Sequence, residues 1–183
     1  MNKVLQTLEG VTGWLSDNEA IWLNHHAAQV TEGCIVEIGS YQGKSTIALA
    51  LNAQVNVYAI DPHEAHTDEV GGTFGPADRA RFHENIVKAG VHERVCPVNL
   101  CSRAAYTKWS RASGFVFIDG AHNYVDVCFD AFNWGASLLN GGILAIHDRT
   151  WPDIARVLDE LDSDPCFQRY AICDSIQAYR KVL

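Results

Sequence analysis

Five short apolar runs, separated by longer amphipathic segments, set the pattern of this 183-residue chain. Each run is rich in β-branched or aromatic residues, which is typical of a buried strand. Such alternation predicts repeated βα units and a mostly parallel sheet with helices on both faces. We therefore expect a Rossmann-like three-layer α/β/α sandwich, with strands at 34–38, 55–60, 95–98, 115–118 and 143–146.

The remaining segments complete this fold. Two strand-like runs flank Asp174-Ser175 and predict a C-terminal antiparallel hairpin, which brings the sheet to seven strands. Ser16 and Glu19 have the spacing of a capping box, so a helix should begin at about residue 17 within an N-terminal helical segment, 1–32. The glycine-containing stretch 62–76 is predicted to be a mobile loop near a site. The other predicted helices lie near 43–53, 78–90, 102–111, 123–139 and 152–162.

Size and charge limit the function. A chain of this length predicts one domain, 1–183. The net charge of −8 argues against nucleic-acid and anionic-membrane partners, because binding to phosphates needs clustered Lys and Arg. Six cysteines without a CxxC pair predict reduced thiols, and no apolar stretch reaches the roughly 18 residues of a membrane helix. We expect a cytoplasmic protein with a small-molecule partner, and a homodimer is the candidate assembly.

The stretch 35–46 is an apolar strand that breaks into a glycine-containing turn and then a helix, a structure suited to binding a ligand with backbone N–H groups. A phosphate-binding loop of the form GxxxxGK[ST] is excluded, because only three residues separate Gly39 from Gly43. The dinucleotide fingerprint GxGxxG is excluded because Tyr41 stands where it needs glycine. The pattern that remains is ExGxxxG, beginning at Glu37.

This motif resembles the first motif of class I S-adenosylmethionine-dependent methyltransferases, especially the metal-dependent catechol and macrocin O-methyltransferase-like groups, over about residues 30–150. The resemblance implies that the turn holds the methionine part of S-adenosylmethionine. Asp61, at the end of the second strand, would bind the ribose diol, and Ser102 would meet the adenine edge. The residues expected to bind the cofactor are Glu37, Gly39, Ser40, Tyr41, Gly43, Ser45, Asp61, Ser102 and Asp119.

A second group of polar residues follows two further strands. Asp119 and His122 follow the run 115–118, and His147-Asp148 follow 143–146. Because parallel strands end at one edge of a sheet, these side chains should converge. The resemblance implies that Asp119, His147 and Asp148 hold a divalent cation and that His122 occupies the position of a catalytic base. An imidazole at His147 makes manganese or iron at least as suitable as magnesium.

These residues predict methyl transfer from S-adenosylmethionine to a hydroxyl of a small molecule, with a base and a cation assisting the displacement. One alternative is a metal-free methyltransferase acting on nitrogen or carbon. Another is an inactive cofactor-binding partner subunit. His25 and His26 are adjacent on a helix and point apart, so they are interpreted as core or solvated residues. Trp109, Trp134 and Trp151 are interpreted as packing residues, with Trp151 close to the site.

Overall fold

The computed structural model of the protein describes residues 2–67 and 72–183. The nine strands in these residues are β1 (Cys34–Ile38), β2 (Val57–Ile60), β3 (His66–Thr67), β4 (Thr73–Phe74), β5 (Val95–Val98), β6 (Ser113–Ile118), β7 (Leu138–Ile146), β8 (Phe167–Cys173) and β9 (Ile176–Lys181). The α-helices are α1 (Lys3–Leu8), α2 (Asp17–Ala27), α3 (Lys44–Ala50), α4 (Pro76–Lys88), α5 (Ser102–Tyr106), α6 (Tyr124–Phe129) and α7 (Pro152–Ser163).

Seven strands form the main sheet, in the order β5-β2-β1-β6-β7-β9-β8. The first five are parallel, and β9 pairs antiparallel with both β7 and β8. Strands β3 and β4 form a separate two-stranded sheet. The predicted α/β sandwich with a C-terminal hairpin is therefore confirmed.

Each face of the sheet carries its own apolar core. Side chains alternate along the strands, so Ile35 and Phe117 pack with α1–α4 on one face. Val36 and Ile118 pack on the other, with α5–α7. The same alternation places the residue after each of four central strands on the face of α1–α4.

Four central strands end at one level. Ile60, Ile38, Ile118 and Ile146 pair across the sheet as neighbours. The ladder continues for one residue beyond them, through N–H···O bonds of 2.8–3.1 Å. The residues that follow the four strands therefore form a row across the carboxyl edge, called here the strand-end row: Asp61, Gly39, Asp119 and His147.

Several predicted boundaries were wrong. Helix α5 ends at Tyr106, and the predicted helix 123–139 divides into α6 and a π-helical segment, Asp130–Trp134. Strand β7 begins at Leu138, five residues before the apolar run that suggested it, because Leu138 already pairs with Ser113, ahead of a register shift between Ser113 and Phe115. Helix α1 lies within the predicted N-terminal helical segment, 1–32, in which only the start of α2 was assigned.

The predicted loop 62–76 contains the β3–β4 hairpin, and its residues 68–71 lie outside the described residues. The capping box predicted at Ser16 and Glu19 is present and begins α2. All six cysteines are free. Among the described residues, no helix is both long enough and apolar enough to cross a membrane.

Gly39 allows β1 and β6 to end in contact. Its φ is +85°, and a Cβ at this position would lie 2.1 Å from the carbonyl oxygen of Asp119. Gly10 also has a positive φ, +79°, but a Cβ there would meet nothing within 4 Å. A comparison of the two glycines therefore separates the cost of a left-handed backbone from the cost of a collision with a neighbouring strand.

We expect Gly10→Ala to lower the free energy of unfolding by about 1 kcal/mol, the cost of a left-handed alanine. Gly39→Ala should lower it by at least about 3 kcal/mol, because the backbone of Asp119 must also move. Urea unfolding of both variants measures the difference. Equal losses would show that contact between the strand ends is unimportant.

Candidate functional site

The turn between β1 and α3 is held by Asp61. One carboxylate oxygen, Oδ2, accepts the backbone N–H groups of Ser40 and Tyr41 at 3.0 and 2.9 Å. The other, Oδ1, accepts the N–H of His63 at 2.8 Å. Two backbone amides that the resemblance assigned to the cofactor carboxylate are therefore bonded to Asp61, and Oδ1 retains one acceptor site.

His63 stabilises the same turn through hydrogen bonds of its ring. Its buried ring donates from Nε2 to the carbonyl oxygen of Tyr41 at 2.7 Å, and its Nδ1 accepts from the amide of Asn99 at 3.1 Å. These two bonds assign the proton to Nε2. His63 stands within the segment 62–76, which the sequence predicted to be a loop near a site.

Strained backbone is concentrated at this edge of the sheet. In the described residues, four residues other than glycine have positive φ: Tyr41, His63, Asp148 and Asp174. Each costs of order 1 kcal/mol and persists only where surrounding contacts fix it. Such residues are typical of ligand-binding and catalytic sites.

Glu37 lies fully buried beneath the turn. Its Oε2 accepts the hydroxyl of Thr46 at 2.5 Å, whereas Oε1 has no hydrogen-bond partner among the described residues. Burial raises the pKa of Glu37 to about 8, despite the hydroxyls nearby. Glu37 is therefore protonated at neutral pH. Ser45 is also buried, and Gly43 begins α3 with φ +90°.

Ser102 lies at the start of α5, beyond the end of β5. Its hydroxyl donates to Asp130 and accepts the indole N–H of Trp134 at 2.8 Å. Burial raises the pKa of Asp130 to about 7, partly offset by the Ser102 bond. The π-helical segment thus supplies Asp130 and Trp134, which sequence reasoning did not connect with Ser102.

An aromatic cluster forms the rim beside the turn. Trp14 is 71% exposed, and its ring centroid lies 5.1 Å from that of Tyr41 and 6.2 Å from that of Phe74. His66 stacks on Phe74. An exposed tryptophan beside a site offers a flat apolar wall to a bound molecule.

Asp119, His122 and Asp148 form an open acidic group at the ends of β6 and β7. Nε2 of His122 lies 2.8 Å from Oδ2 of Asp148, and the ring stacks on Trp151 at 4.4 Å between centroids. One ligand atom from each of the three lies within 4.8 Å of the others. Each side chain is about a quarter exposed, so the group is accessible to solvent.

His147 lies behind this group and is buried. Nδ1 is 3.2 Å from Oδ1 of Asp119 and 3.3 Å from Oδ2 of Asp148, and Nε2 is 3.3 Å from Oε2 of Glu19. None of these approaches is aligned as a hydrogen bond. His147 thus lies among three carboxylates, one of which comes from α2.

The facing groups perturb one another. Burial lowers the pKa of His147, but the three carboxylates outweigh it and raise this pKa to about 12. Burial raises the pKa of Asp119 above its usual range, with partial relief from His147. Burial also opposes ionisation of Asp148, yet His122 and His147 hold its pKa well below the usual range. The balance favours an imidazolium at position 147.

The structure brings together most of the residues that the sequence singled out. Gly39, Asp61, Asp119 and His147 share the strand-end row, and His122 and Asp148 stand beside it. His122, rather than His147, shares the open acidic group with the two aspartates. Their roles as ligands and base stay predictions. Sequence reasoning missed Glu19 as a site residue, although the capping box had already marked it.

Comparison with known proteins agrees with this geometry. A family model described as "Methyltransferase domain" matches residues 36–149. The O-methyltransferase from Bacillus cereus, solved with SAH, superposes with a TM-score of 0.73 at 18% identity, covering 98% of this chain and 89% of that one.

Two further solved structures have the same fold. TomG from Streptomyces achromogenes, an O-methyltransferase of tomaymycin synthesis solved with SAM, has a TM-score of 0.74 at 15% identity, covering 100% of this chain and 91% of that one. The SAH-bound Podospora anserina methyltransferase PaMTH1 has 0.73 at 15% identity, covering 99% and 88%. At these identities the likeness shows the fold.

The pH dependence of the free energy of unfolding tests whether the buried Glu37 is protonated. The unfolded chain releases this proton above about pH 4.5, whereas the folded chain keeps it until about pH 8, so Glu37 destabilises the fold increasingly across that window. Glu37→Gln does not titrate. Its free energy of unfolding relative to the parent should therefore rise by about 2 kcal/mol or more between pH 5 and 8.

Urea unfolding at several pH values measures this difference. The exposed Glu32, just before β1, gives the matched control Glu32→Gln, for which the difference should stay flat. A flat difference for Glu37→Gln as well would mean that Glu37 is ionised in the folded protein.

Proposed function

The chain belongs to the methyltransferase-domain family, and on that basis we propose that it transfers the methyl group of S-adenosylmethionine to a hydroxyl oxygen of a small molecule. The cofactor assignment is supported by the SAM- and SAH-bound structures that share its fold. The oxygen acceptor is supported by the O-methyltransferases among them.

The observation that carries the proposal is the strand-end row. It places Asp61 and the Gly39 turn beside Asp119 at the same level of the sheet. A cofactor lying along this edge would have its ribose over β2 and its methionine part over β1. Its methyl group would then face the open acidic group.

The chain's own residues would bind the cofactor in distinct ways. Oδ1 of Asp61 has room for a ribose hydroxyl while Oδ2 keeps the turn closed. Tyr41 and Trp14 form an apolar wall beside the turn. Ser102 lies beyond β5, where the adenine edge is expected, and its hydroxyl is held there by Asp130 and the indole of Trp134.

Methyl transfer needs an acceptor that has lost its proton and lies in line with the breaking sulfur–carbon bond. We propose His122 as the base. If Nε2 donates to Asp148, Nδ1 is the basic nitrogen, and Asp148 stabilises the imidazolium that forms. Stacking on Trp151 fixes the plane of the ring.

The open acidic group also fits a divalent cation by its donor chemistry. Two carboxylates and one imidazole, with ligand atoms within 4.8 Å, suit manganese or iron better than magnesium. When bound, such a cation would lower the pKa of the acceptor hydroxyl. Asp119 and Asp148 would hold it, and His122 would then serve as the third ligand rather than as the base. The sequence also suggested His147 as a ligand, but an imidazolium there has no lone pair to offer.

The inactive-subunit alternative is disfavoured by this arrangement. Asp119, His122 and Asp148 remain partly exposed at an open edge, with Asp148 held in a strained conformation. A protein that served only as a partner would have no use for such strain. A metal-free methyltransferase acting on nitrogen or carbon is separated from our proposal by the transfer assay below.

We expect S-adenosylhomocysteine to bind in calorimetric titration. Asp61→Ala should weaken binding at least tenfold, about 1.4 kcal/mol, because the turn loses its anchor and the ribose its acceptor. The exposed Asp159 on α7 gives the control Asp159→Ala, with unchanged affinity. Binding of NAD or ATP with no binding of S-adenosylhomocysteine would refute the cofactor assignment.

Transfer itself can be assayed with labelled S-adenosylmethionine and a panel of small-molecule alcohols, phenols and amines, read by mass spectrometry. We expect methylated oxygen, with kcat lowered about 100-fold or more in His122→Gln. Chelation should lower turnover, and Mn²⁺ should restore it better than Mg²⁺. Full activity after chelation would exclude the cation, and transfer to amines alone would overturn the oxygen acceptor.

A further inference from the structure

Glu19 is a buried carboxylate that has no role in the proposed mechanism. It is the third residue of α2 and only 1% exposed, yet it lies outside the matched family segment, 36–149. Its two oxygens accept the backbone N–H groups of Ser16 and Ser175, each at 2.8 Å. Glu19 therefore joins the start of α2 to the turn of the β8–β9 hairpin.

Oε2 of Glu19 also faces the site, 3.3 Å from Nε2 of His147. The opposite ring nitrogen, Nδ1, lies between Asp119 and Asp148. A histidine ring has only two nitrogens, so the carboxylate on one side determines which way the other points. The ring is 4% exposed, so these carboxylates are the groups that surround its nitrogens.

We propose that Glu19 is a positioning residue, which orients the His147 ring so that Nδ1 stays between Asp119 and Asp148 and pairs with both carboxylates at the back of the open acidic group. The inference rests on the proposed function only for its catalytic consequence. Oδ2 of Asp148, which also meets Nε2 of His122, and the carboxylate of Asp119 would then stay at the spacing that His122 and the acceptor need.

The turn of the β8–β9 hairpin is bonded to Asp148, to Glu19 and to the start of α2. Ser175 donates its hydroxyl to Oδ1 of Asp148 at 3.2 Å and its backbone N–H to Glu19. Asp174, with φ +47°, accepts the hydroxyl of Ser16 at 2.7 Å. Both ends of the chain thus brace one aspartate of the site, directly and through His147.

Histidine-ring ¹H–¹⁵N NMR of the full chain tests the proposal, with His147→Gln to assign the resonances. We expect ring N–H resonances of His147 that exchange slowly with water. In Glu19→Gln, which keeps the size and an acceptor oxygen, at least one should shift by more than about 1 ppm or broaden beyond detection, since the charge that orients the ring is lost.

Ser16→Ala is the matched control. It removes the capping hydroxyl and the bond to Asp174 but leaves Glu19 in place, so the resonances of His147 should not move although the protein loses about 1 kcal/mol of stability. Unchanged resonances in Glu19→Gln, or equal changes in both variants, would show that Glu19 only caps the helix and would overturn the proposal.

Steady-state kinetics test the catalytic consequence of the proposal, with an acceptor identified in the transfer assay. Glu19→Gln should lower kcat about tenfold while KM for S-adenosylmethionine changes by less than about threefold, and combining it with His147→Gln should add little. Additive losses, or a change in KM alone, would contradict the positioning role. Because the NMR experiment needs no cofactor, its outcome does not depend on the proposed function.

Discussion

The site depends on the in-register ending of four parallel strands. Because the ladder hydrogen bonds run one residue past the last isoleucine of each strand, Asp61, Gly39, Asp119 and His147 stand side by side. Period-two alternation turns the three side chains toward α1–α4. Gly39 completes the row, since any Cβ there would collide with the backbone of Asp119. A sheet with this register brings polar residues from separate strands together at one edge, so the site needs no additional domain to form it.

The burial of these ionisable groups is tolerated in three different ways. His147 is surrounded by Glu19, Asp119 and Asp148, and its charge lowers the cost of theirs. Glu37 instead keeps its proton and so carries no charge. Asp61 is satisfied by backbone N–H groups. The same edge therefore uses ion pairing, protonation and hydrogen bonding to hold carboxylates in an apolar setting.

Sequence reasoning was strongest where periodicity is strongest. The five apolar runs predicted the central strands because buried parallel strands are continuously apolar, and the terminal hairpin followed from its tight spacing. Boundaries failed where tertiary contacts override local preference, as in the π-helical segment that carries Asp130 to Ser102. The motifs located the strand ends and the turn. They could not show that Asp61 closes the turn itself, because that depends on three-dimensional contact across 20 residues.

The pairing of Glu19 with His147 was out of reach for a related reason. The capping box predicted that Glu19 begins α2, and alternation along β7 would have placed His147 on the face that α2 covers. Nothing in the sequence fixed where along the sheet α2 begins. The contacts of Ser16 with Asp174 and of Glu19 with Ser175 place its first turn above the end of β7.

A crystal structure of the protein with S-adenosylhomocysteine would test the central claim most directly. The account predicts the ligand along the strand-end row, with its ribose on Oδ1 of Asp61, its carboxylate at the turn of Gly39 and Tyr41, and its sulfur facing Asp119 and His122. A ligand bound at another edge of the sheet, or one lying on this edge without contact to Asp61, would contradict it.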